Sequence, residues 1–354
     1  MDTIWWTRVP SARSLIESVA GNLLNEKTVL LQHNEPLPWK DTFSQIIREY
    51  VSEKNSSKSF AVIRDENDPG KYLLNEYCKK EKRAQYRPTK GYAAFLAESN
   101  DIVLNEYYFW VNIKDSQGLN TWCKFVSEYA KLRPKGKSKA VFLLDCQGIS
   151  TKDRYKGIER INTDLFIGDY DKRIFSTLIS GSINEGVLLK AYMTELLISV
   201  IGTDIELLAE IISKYKDFLA DPLTAINNAT QSTYRNDGNE FLFSKDRAEV
   251  NHDIWKAQIK AIYPLLEEYR QTFIEKYNKQ IASNCLPVEN SAGEVMNDAQ
   301  GLELGTLVYL AGIGKLSLST EEYERLVLFK DARNTLSHLG ILEINQIEQL
   351  FAEI

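Results

Sequence analysis

Short apolar runs alternate with amphipathic stretches along the first 170 residues of the chain. Residues 11–25 place their apolar side chains at the three- and four-residue spacing of a helix. The runs that predict strands are KTVLLQH (27–33), SFAVIRD (59–65), NEYYFWVNI (105–113), KAVFLLD (139–145) and TDLFIGD (163–169). Because these runs do not alternate with polar residues, the strands are predicted to be covered on both faces. Strands that are separated by helices predict a parallel sheet wrapped by helices.

The rest of the chain has the spacing of helices. The clearest helix has apolar residues every three or four positions over 255–277, and Pro264 within it predicts a kink or a split into two helices. A later helix begins with a capping box formed by Ser319 and Glu322, and Gly340 stands where a helix-ending glycine is expected. This half is therefore predicted to be all-α.

A chain of this length is expected to form two domains or a few small ones. The change of pattern predicts an α/β domain at 1–171, a helical extension at 172–240 and a helical bundle at 241–354. With 44% hydrophobic and 26% charged residues, the composition is that of an ordinary globular protein.

The net charge of -6 bears on the kind of partner. Proteins that coat nucleic acid are usually basic, so this charge does not support a nucleic-acid partner, although a local basic patch could still bind one. The opening MDTIWWTRVPSARS lacks the regions of a signal peptide, and no apolar stretch is long enough for a membrane span. The scattered cysteines predict neither disulfides nor a zinc site and fit a reducing cytoplasm: Cys78, Cys123, Cys146 and Cys285.

The first predicted strand leads into NEPLPW, residues 34–39, where a nucleotide-binding fold would carry its phosphate-binding loop. Such a loop needs glycines for close backbone approach and a lysine for the phosphates. NEPLPW has no glycine and no lysine–serine pair, and its prolines lack backbone donors. The sequence therefore predicts no nucleotide-binding residues, no cofactor and no metal site.

The run KAVFLLD resembles a Walker B strand, because four apolar residues precede Asp145. Together with the alternation of strands and helices, this makes the first 170 residues resemble a degenerate AAA or STAND-type nucleotide-binding domain whose phosphate-binding loop is lost. The resemblance implies an inactive, repurposed fold, with another α/β fold and a working ATPase as alternatives. His33 and His252 stand alone in the sequence and are interpreted as satisfied surface or core histidines rather than ligands.

The stretch KDARNTLSHLG near the end of the chain contains Arg333, Asn334 and His338. These residues match the RNxxxH motif of the HEPN superfamily, and the resemblance covers roughly residues 250–354. It implies a helical bundle, a homodimer through that bundle and, if the domain is active, a metal-independent ribonuclease with these three catalytic residues. A histidine can exchange protons near neutral pH, and an arginine can stabilise charge on a phosphate.

A structural interpretation of the same motif is also open. A histidine in the last turn of a helix is favoured by the helix dipole. Arg333 could pair with a carboxylate on a neighbouring helix, for which Glu303 and Glu267 are the candidates. Acidic stretches around the motif disfavour RNA as a ligand.

A degenerate nucleotide-binding domain joined to a HEPN-like bundle resembles accessory proteins of prokaryotic phage-defence systems of the BREX-like kind. The resemblance implies a non-catalytic scaffold or regulatory subunit that binds a larger partner enzyme of the same system. Trp5, Trp6 and Trp39 could serve such an interface or a core. The alternatives are a HEPN ribonuclease or toxin that uses Arg333 and His338, and an ATP-dependent switch.

Overall fold

The computed structural model describes residues 1–64, 66–98, 103–134, 137–163, 168–289, 293 and 295–354. These residues form two compact units, Met1–Phe175 and Ser176–Ile354. The second unit takes in both the expected helical extension and the expected bundle.

The first unit is built around a parallel sheet. Its strands in the described residues are β1 (Thr28–His33), β2 (Ser59–Arg64), β3 (Tyr107–Ile113), β4 (Val141–Gln147) and β5 (Ile158–Asn162). Its helices are α1 (Asp2–Arg8), α2 (Pro10–Leu24), α3 (Lys40–Lys54), α4 (Pro69–Tyr77), α5 (Lys80–Arg83), α6 (Tyr92–Glu98), α7 (Ser116–Leu132) and the start of α8 (Asp169–Ser180). Hydrogen-bonded strands follow the order β2-β3-β4-β1-β5, and every pair is parallel.

The core covers both faces of this sheet. β1 and β4 lie in its middle and are buried along almost their whole length, which is why they read as continuous apolar runs. Trp5 and Trp6 are fully buried and pack against Phe175 and Phe43, with ring centroids 5.3 and 4.6 Å apart. Trp39 is half-buried, 5.9 Å from the ring of Phe175. The two N-terminal tryptophans therefore belong to the core and not to an exposed interface.

The fifth strand is not at the position expected from the sequence. It is formed by Ile158–Asn162 and pairs with β1, whereas the expected run was 163–169, of which residues 164–167 lie outside the described residues. β5 is at the edge of the sheet, and its Glu159 and Arg160 are exposed while Ile161 is buried. An edge strand with polar residues lacks the continuous apolar run that marks a central strand, so the sequence pattern did not predict it.

The second unit is helical apart from a two-stranded antiparallel hairpin. Its elements after α8 are α9 (Val187–Ile201), α10 (Ile205–Ser213), α11 (Tyr215–Ala220), α12 (Pro222–Ser232), α13 (Arg247–Ala261), α14 (Tyr263–Gln280), β6 (Val288–Glu289), β7 (Val295–Met296), α15 (Leu304–Gly312), α16 (Thr320–Ser337) and α17 (Ile344–Ala352). α9 packs along α13. The buried amide of Gln258 on α13 donates to Tyr192 of α9 and both donates to and accepts from the backbone of Leu342. These bonds join α9, α13 and the segment before α17.

Two local expectations for the helices are confirmed. The long apolar pattern is split into α13 and α14, with Pro264 in the first turn of α14, where its missing N–H costs no helical bond. The capping box of Ser319 and Glu322 begins α16. Across the described helices, none combines the length and the apolar character that crossing a membrane would require.

Candidate functional site

A cleft of about 750 Å³ opens at the carboxyl ends of the parallel strands, the edge where ligands bind in open α/β sheets. Strand ends contribute Arg64 of β2, Asn112 of β3 and Asp145 of β4 to its lining. α3 contributes Lys40 and Arg48. The cleft is therefore assembled from segments that are far apart in the sequence, and it lies beside the loop that joins β1 to α3.

That loop keeps the spacing of a phosphate-binding loop without its glycines. In the pattern G-x-x-x-x-G-K-S/T, a strand ends before the first glycine and a helix follows. Here β1 ends at His33 and α3 begins at Lys40, so Asn34 and Trp39 stand at the glycine positions and Asp41 at the hydroxyl position. Sequence reasoning missed Lys40, although its place six residues after Asn34 could have revealed it.

The β1–α3 loop packs against the core of the unit. Trp39 has φ 44° and ψ 58°, the left-handed conformation that favours glycine, which is the residue the pattern would place there. Leu37 is buried, and the carbonyl of Pro38 accepts a hydrogen bond of 2.9 Å from the indole of Trp6. The loop thus packs into the protein through its apolar residues and has prolines where a phosphate cradle would offer amides.

Asp145 is the centre of a buried polar cluster. Its Oδ1 accepts a hydrogen bond of 2.9 Å from Nε2 of His33. Its Oδ2 accepts from Nε1 of Trp110 at 3.0 Å and lies 2.7 Å from Nζ of Lys40. Burial alone would raise the pKa of Asp145, but the hydrogen bond from His33 and the charge of Lys40 outweigh it and lower the pKa to about 2. The carboxylate is therefore ionised, and protein donors occupy both of its oxygens.

His33 connects this cluster to the loop. Its Nδ1 lies 2.8 Å from the backbone carbonyl oxygen of Glu35, while its Nε2 faces Asp145. Each ring nitrogen thus has a polar partner within hydrogen-bonding distance. His33 is therefore a satisfied core histidine, as the sequence suggested, but one that sits in the candidate site.

In this cluster, the lysine and the carboxylate at the positions that a P-loop ATPase would use bind each other. In such enzymes the lysine reaches the phosphates and a carboxylate holds magnesium. Here Lys40, whose side chain is 34% exposed, pairs with the buried carboxylate of Asp145. In the described part of the chain, no group of three or more histidine, cysteine or acidic residues is placed to hold a metal ion. The resemblance of β4 to a Walker B strand does not extend to a carboxylate that is open to a ligand.

The terminal motif lies at the end of α16. Nη2 of Arg333 lies 3.1 Å from Oε2 of Glu303, at the start of α15, while Glu267 pairs with Arg270 at 2.8 Å. These four side chains line a cavity of about 190 Å³. His338 and Asn334 are not among the residues lining that cavity, and the side chain of His338 is exposed at the C-cap. Of the three motif residues, Arg333 alone lines this cavity.

The end of α16 differs in detail from the expected glycine cap. Leu339 has the left-handed conformation, with φ 60°, and Gly340 comes one residue later. The amide of Gly340 donates to Thr335 at 2.8 Å and that of Leu339 to Leu336 at 3.3 Å, which is the Schellman pattern. Gly340 is needed for close approach, because a Cβ there would lie 2.8 Å from Cγ2 of Thr335. The indole of Trp255 also donates to the carbonyl of Leu336 at 2.8 Å, which fixes this turn to α13.

No protein-family model matches this chain, and no curated protein matches it significantly. Among solved structures, a point variant of RuvB from Thermotoga maritima is similar at 13% identity with a TM-score of 0.32, over 89% of this chain and 94% of that chain. Trip13 from Rhizobiales is similar at 11% identity with a TM-score of 0.32, over 65% of this chain and 81% of that chain. AMPPCP-bound DnaA from Aquifex aeolicus is similar at 13% identity with a TM-score of 0.31, over 96% of this chain and 87% of that chain.

Independently of these likenesses, the first strand lies between the fourth and the fifth in an all-parallel sheet, with a helix after the β1 loop. This arrangement is the parallel sheet wrapped by helices that the sequence predicted. The chain is thus an α/β unit with a five-stranded parallel sheet, followed by a helical unit.

Proposed function

We propose that the α/β unit is a nucleotide-binding fold without catalytic activity, and that the chain acts as a scaffold or regulatory subunit for a larger protein partner. The observation that carries the proposal is the Asp145 cluster. Lys40 lies 2.7 Å from Asp145, which also accepts from His33 and Trp110. If Lys40 bound a phosphate instead, the buried carboxylate of Asp145 would lose its lysine partner. Loss of a charged partner from a buried carboxylate destabilises the folded state.

The surface of α15 supports a protein partner. The helix has no charged residue between Leu304 and Gly312, and Tyr309 on it is 61% exposed. Ile313, directly after it, is 50% exposed. A Cβ at Gly305 or Gly312 would meet nothing within 4 Å, so both sides of Tyr309 are open to another protein. Exposed apolar surface of this kind suits a protein interface, either with a larger enzyme or with a second copy of this bundle.

Co-expression with the proteins encoded by neighbouring genes tests the scaffold role. We expect one of them to co-purify with the wild-type chain and to be lost from Tyr309→Glu, which places a charge on the α15 face. Tyr234→Glu is the matched control, because Tyr234 is 63% exposed and lies outside α15. A chain that elutes alone and retains none of these proteins would contradict the proposal.

The HEPN ribonuclease remains the second candidate, on the strength of the RNxxxH match. The pairing of Arg333 with Glu303 and the exposure of His338 support a structural role for the motif instead. The setting in a phage-defence complex and the cytoplasmic location are inferred from the sequence, and both remain predictions.

A further inference from the structure

The side of the cleft away from the β1–α3 loop carries cationic side chains from two elements. They are Arg48 on α3 and Arg64 at the end of β2. Lys40 and Asp145 neutralise each other, so Asp41 is the remaining carboxylate among the cleft-lining residues that the structure describes. This side of the cleft therefore favours an anion.

Nearby carboxylates are engaged in local hydrogen bonds. Glu66 and Asp115 line a smaller cavity of about 210 Å³ that shares Asn112 and Lys114 with the cleft. Glu66 accepts from the amide of Asp68 at 3.0 Å, and Asp115 caps α7 by accepting from the amide of Gly118 at 2.6 Å. Both carboxylates thus have backbone donors as partners.

Two buried polar atoms of the cleft have no hydrogen-bond partner within the described structure. They are Nε of Arg48, a donor, and Oδ1 of Asn112, an acceptor. A buried polar atom without a partner destabilises the fold, so a ligand that satisfies both atoms would gain affinity. Such a ligand needs an anionic or carbonyl oxygen for Arg48 and an O–H or N–H group for Asn112.

We propose that this side of the cleft binds a phosphorylated small molecule that also carries hydroxyl or amino donors, and that it does so without magnesium. Arginine forks match phosphate oxygens in two-pronged hydrogen bonds, and Arg48 and Arg64 supply two such forks. The volume of about 750 Å³ is that of a small-molecule site. Nucleotides and sugar phosphates share the required chemistry.

Magnesium is not required, because the arginines neutralise the phosphate and the buried carboxylate of Asp145 is already occupied. This inference rests on the proposed function in one respect: Lys40 stays on Asp145 and takes no part in binding. The ligand would then regulate the scaffold instead of being a substrate.

Calorimetric titration of the full chain in EDTA tests the proposal with three probes: a nucleoside monophosphate, a hexose phosphate and inorganic phosphate. We expect one of the two organic phosphates to bind, and Arg48→Gln or Arg64→Gln to weaken its affinity at least tenfold. Arg13→Gln is the matched control, since Arg13 is an exposed residue of the same unit that lies outside the cleft lining and pairs with Glu17. The Arg13→Gln variant should bind the organic phosphate with the affinity of the wild type.

Several outcomes would overturn the proposal. They are no binding of either organic phosphate, equal binding by the wild type and both arginine variants, or inorganic phosphate binding as tightly as the organic probes. Binding that needs magnesium and is lost in Lys40→Ala would overturn it as well. Hydrolysis of a nucleotide would overturn the proposed function, whereas absent binding without hydrolysis would leave the scaffold role standing.

Discussion

At the scale of single residues, Asp145 decides how the candidate site is understood. The apolar residues before Asp145 predicted that it ends a buried strand. The sequence could not predict the hydrogen-bond partners of Asp145, because His33 lies 112 positions away and Trp110 35 positions away in the chain. Spacing along the sequence shows which element a residue belongs to, but not which side chains the topology brings together.

Removing the carboxylate of Asp145 should destabilise the α/β unit. In Asp145→Ala, the buried ring nitrogens of His33 and Trp110 lose their common acceptor, and a buried donor left without a partner costs about 1–3 kcal/mol. We expect a loss of that size in the free energy of unfolding, measured by urea denaturation. Asp153→Ala, at an exposed position of the same unit, should change it by less than about 0.5 kcal/mol. Equal effects of the two changes would show that the cluster does not stabilise the fold.

The same carboxylate should make stability depend on acid pH. The folded state lowers the pKa of Asp145 from 3.8 to about 2, so the folded carboxyl binds protons less readily than the unfolded one. Its contribution is complete above pH 4 and is lost as the pH falls through about 2. Asp145→Asn should lack this component, so its unfolding free energy should fall less steeply with acid than that of the wild type. Parallel curves for the two proteins would contradict the low pKa.

At the scale of elements, the sequence predicted the central strands and the long helices well. β1 and β4 are buried on both faces and therefore form unbroken apolar runs. β5 was missed because an edge strand tolerates polar residues, as Glu159 and Arg160 show. The position of Gly340 suggested a glycine cap, but the structure places Leu339 in the left-handed position and uses Gly340 for close approach.

The cap of α16 can be improved by one substitution. Leu339 is 68% exposed and has φ 60°, so it bears the strain of the left-handed conformation and buries little apolar surface in return. Leu339→Gly should therefore raise the free energy of unfolding, by about 0.5–1 kcal/mol. Leu339→Ala keeps the strain and should be close to neutral. Destabilisation by the glycine would mean that the leucine side chain makes a contact that outweighs the strain.

The exposed end of α16 also gives a test of the ribonuclease alternative. If the RNxxxH motif is structural, wild type and His338→Ala should be equally inert towards single-stranded RNA. The substitution should lower the free energy of unfolding by no more than about 1 kcal/mol, the value of a cation at a helix C-terminus. RNA cleavage that the wild type shows and the variant lacks would establish that the motif is catalytic.

At the scale of the whole molecule, charge is distributed unevenly. The chain has a net charge of -6, yet the described lining of the cleft holds Lys40, Arg48, Arg64 and Lys114 against Asp41 and Asp145. The change from alternating to helical spacing was enough to predict an α/β part followed by a helical part. The cleft could not be predicted, because it is assembled from α3 and from the ends of three strands.

We expect Lys40 and Asp145 to pair with each other and not to bind a nucleotide. ATP hydrolysis with magnesium, by the wild-type chain and by Lys40→Ala, tests it most directly. We expect both proteins to hydrolyse ATP at the background rate, because the lysine pairs at 2.7 Å with the buried carboxylate. A magnesium-dependent rate in the wild type that disappears in Lys40→Ala would contradict the claim.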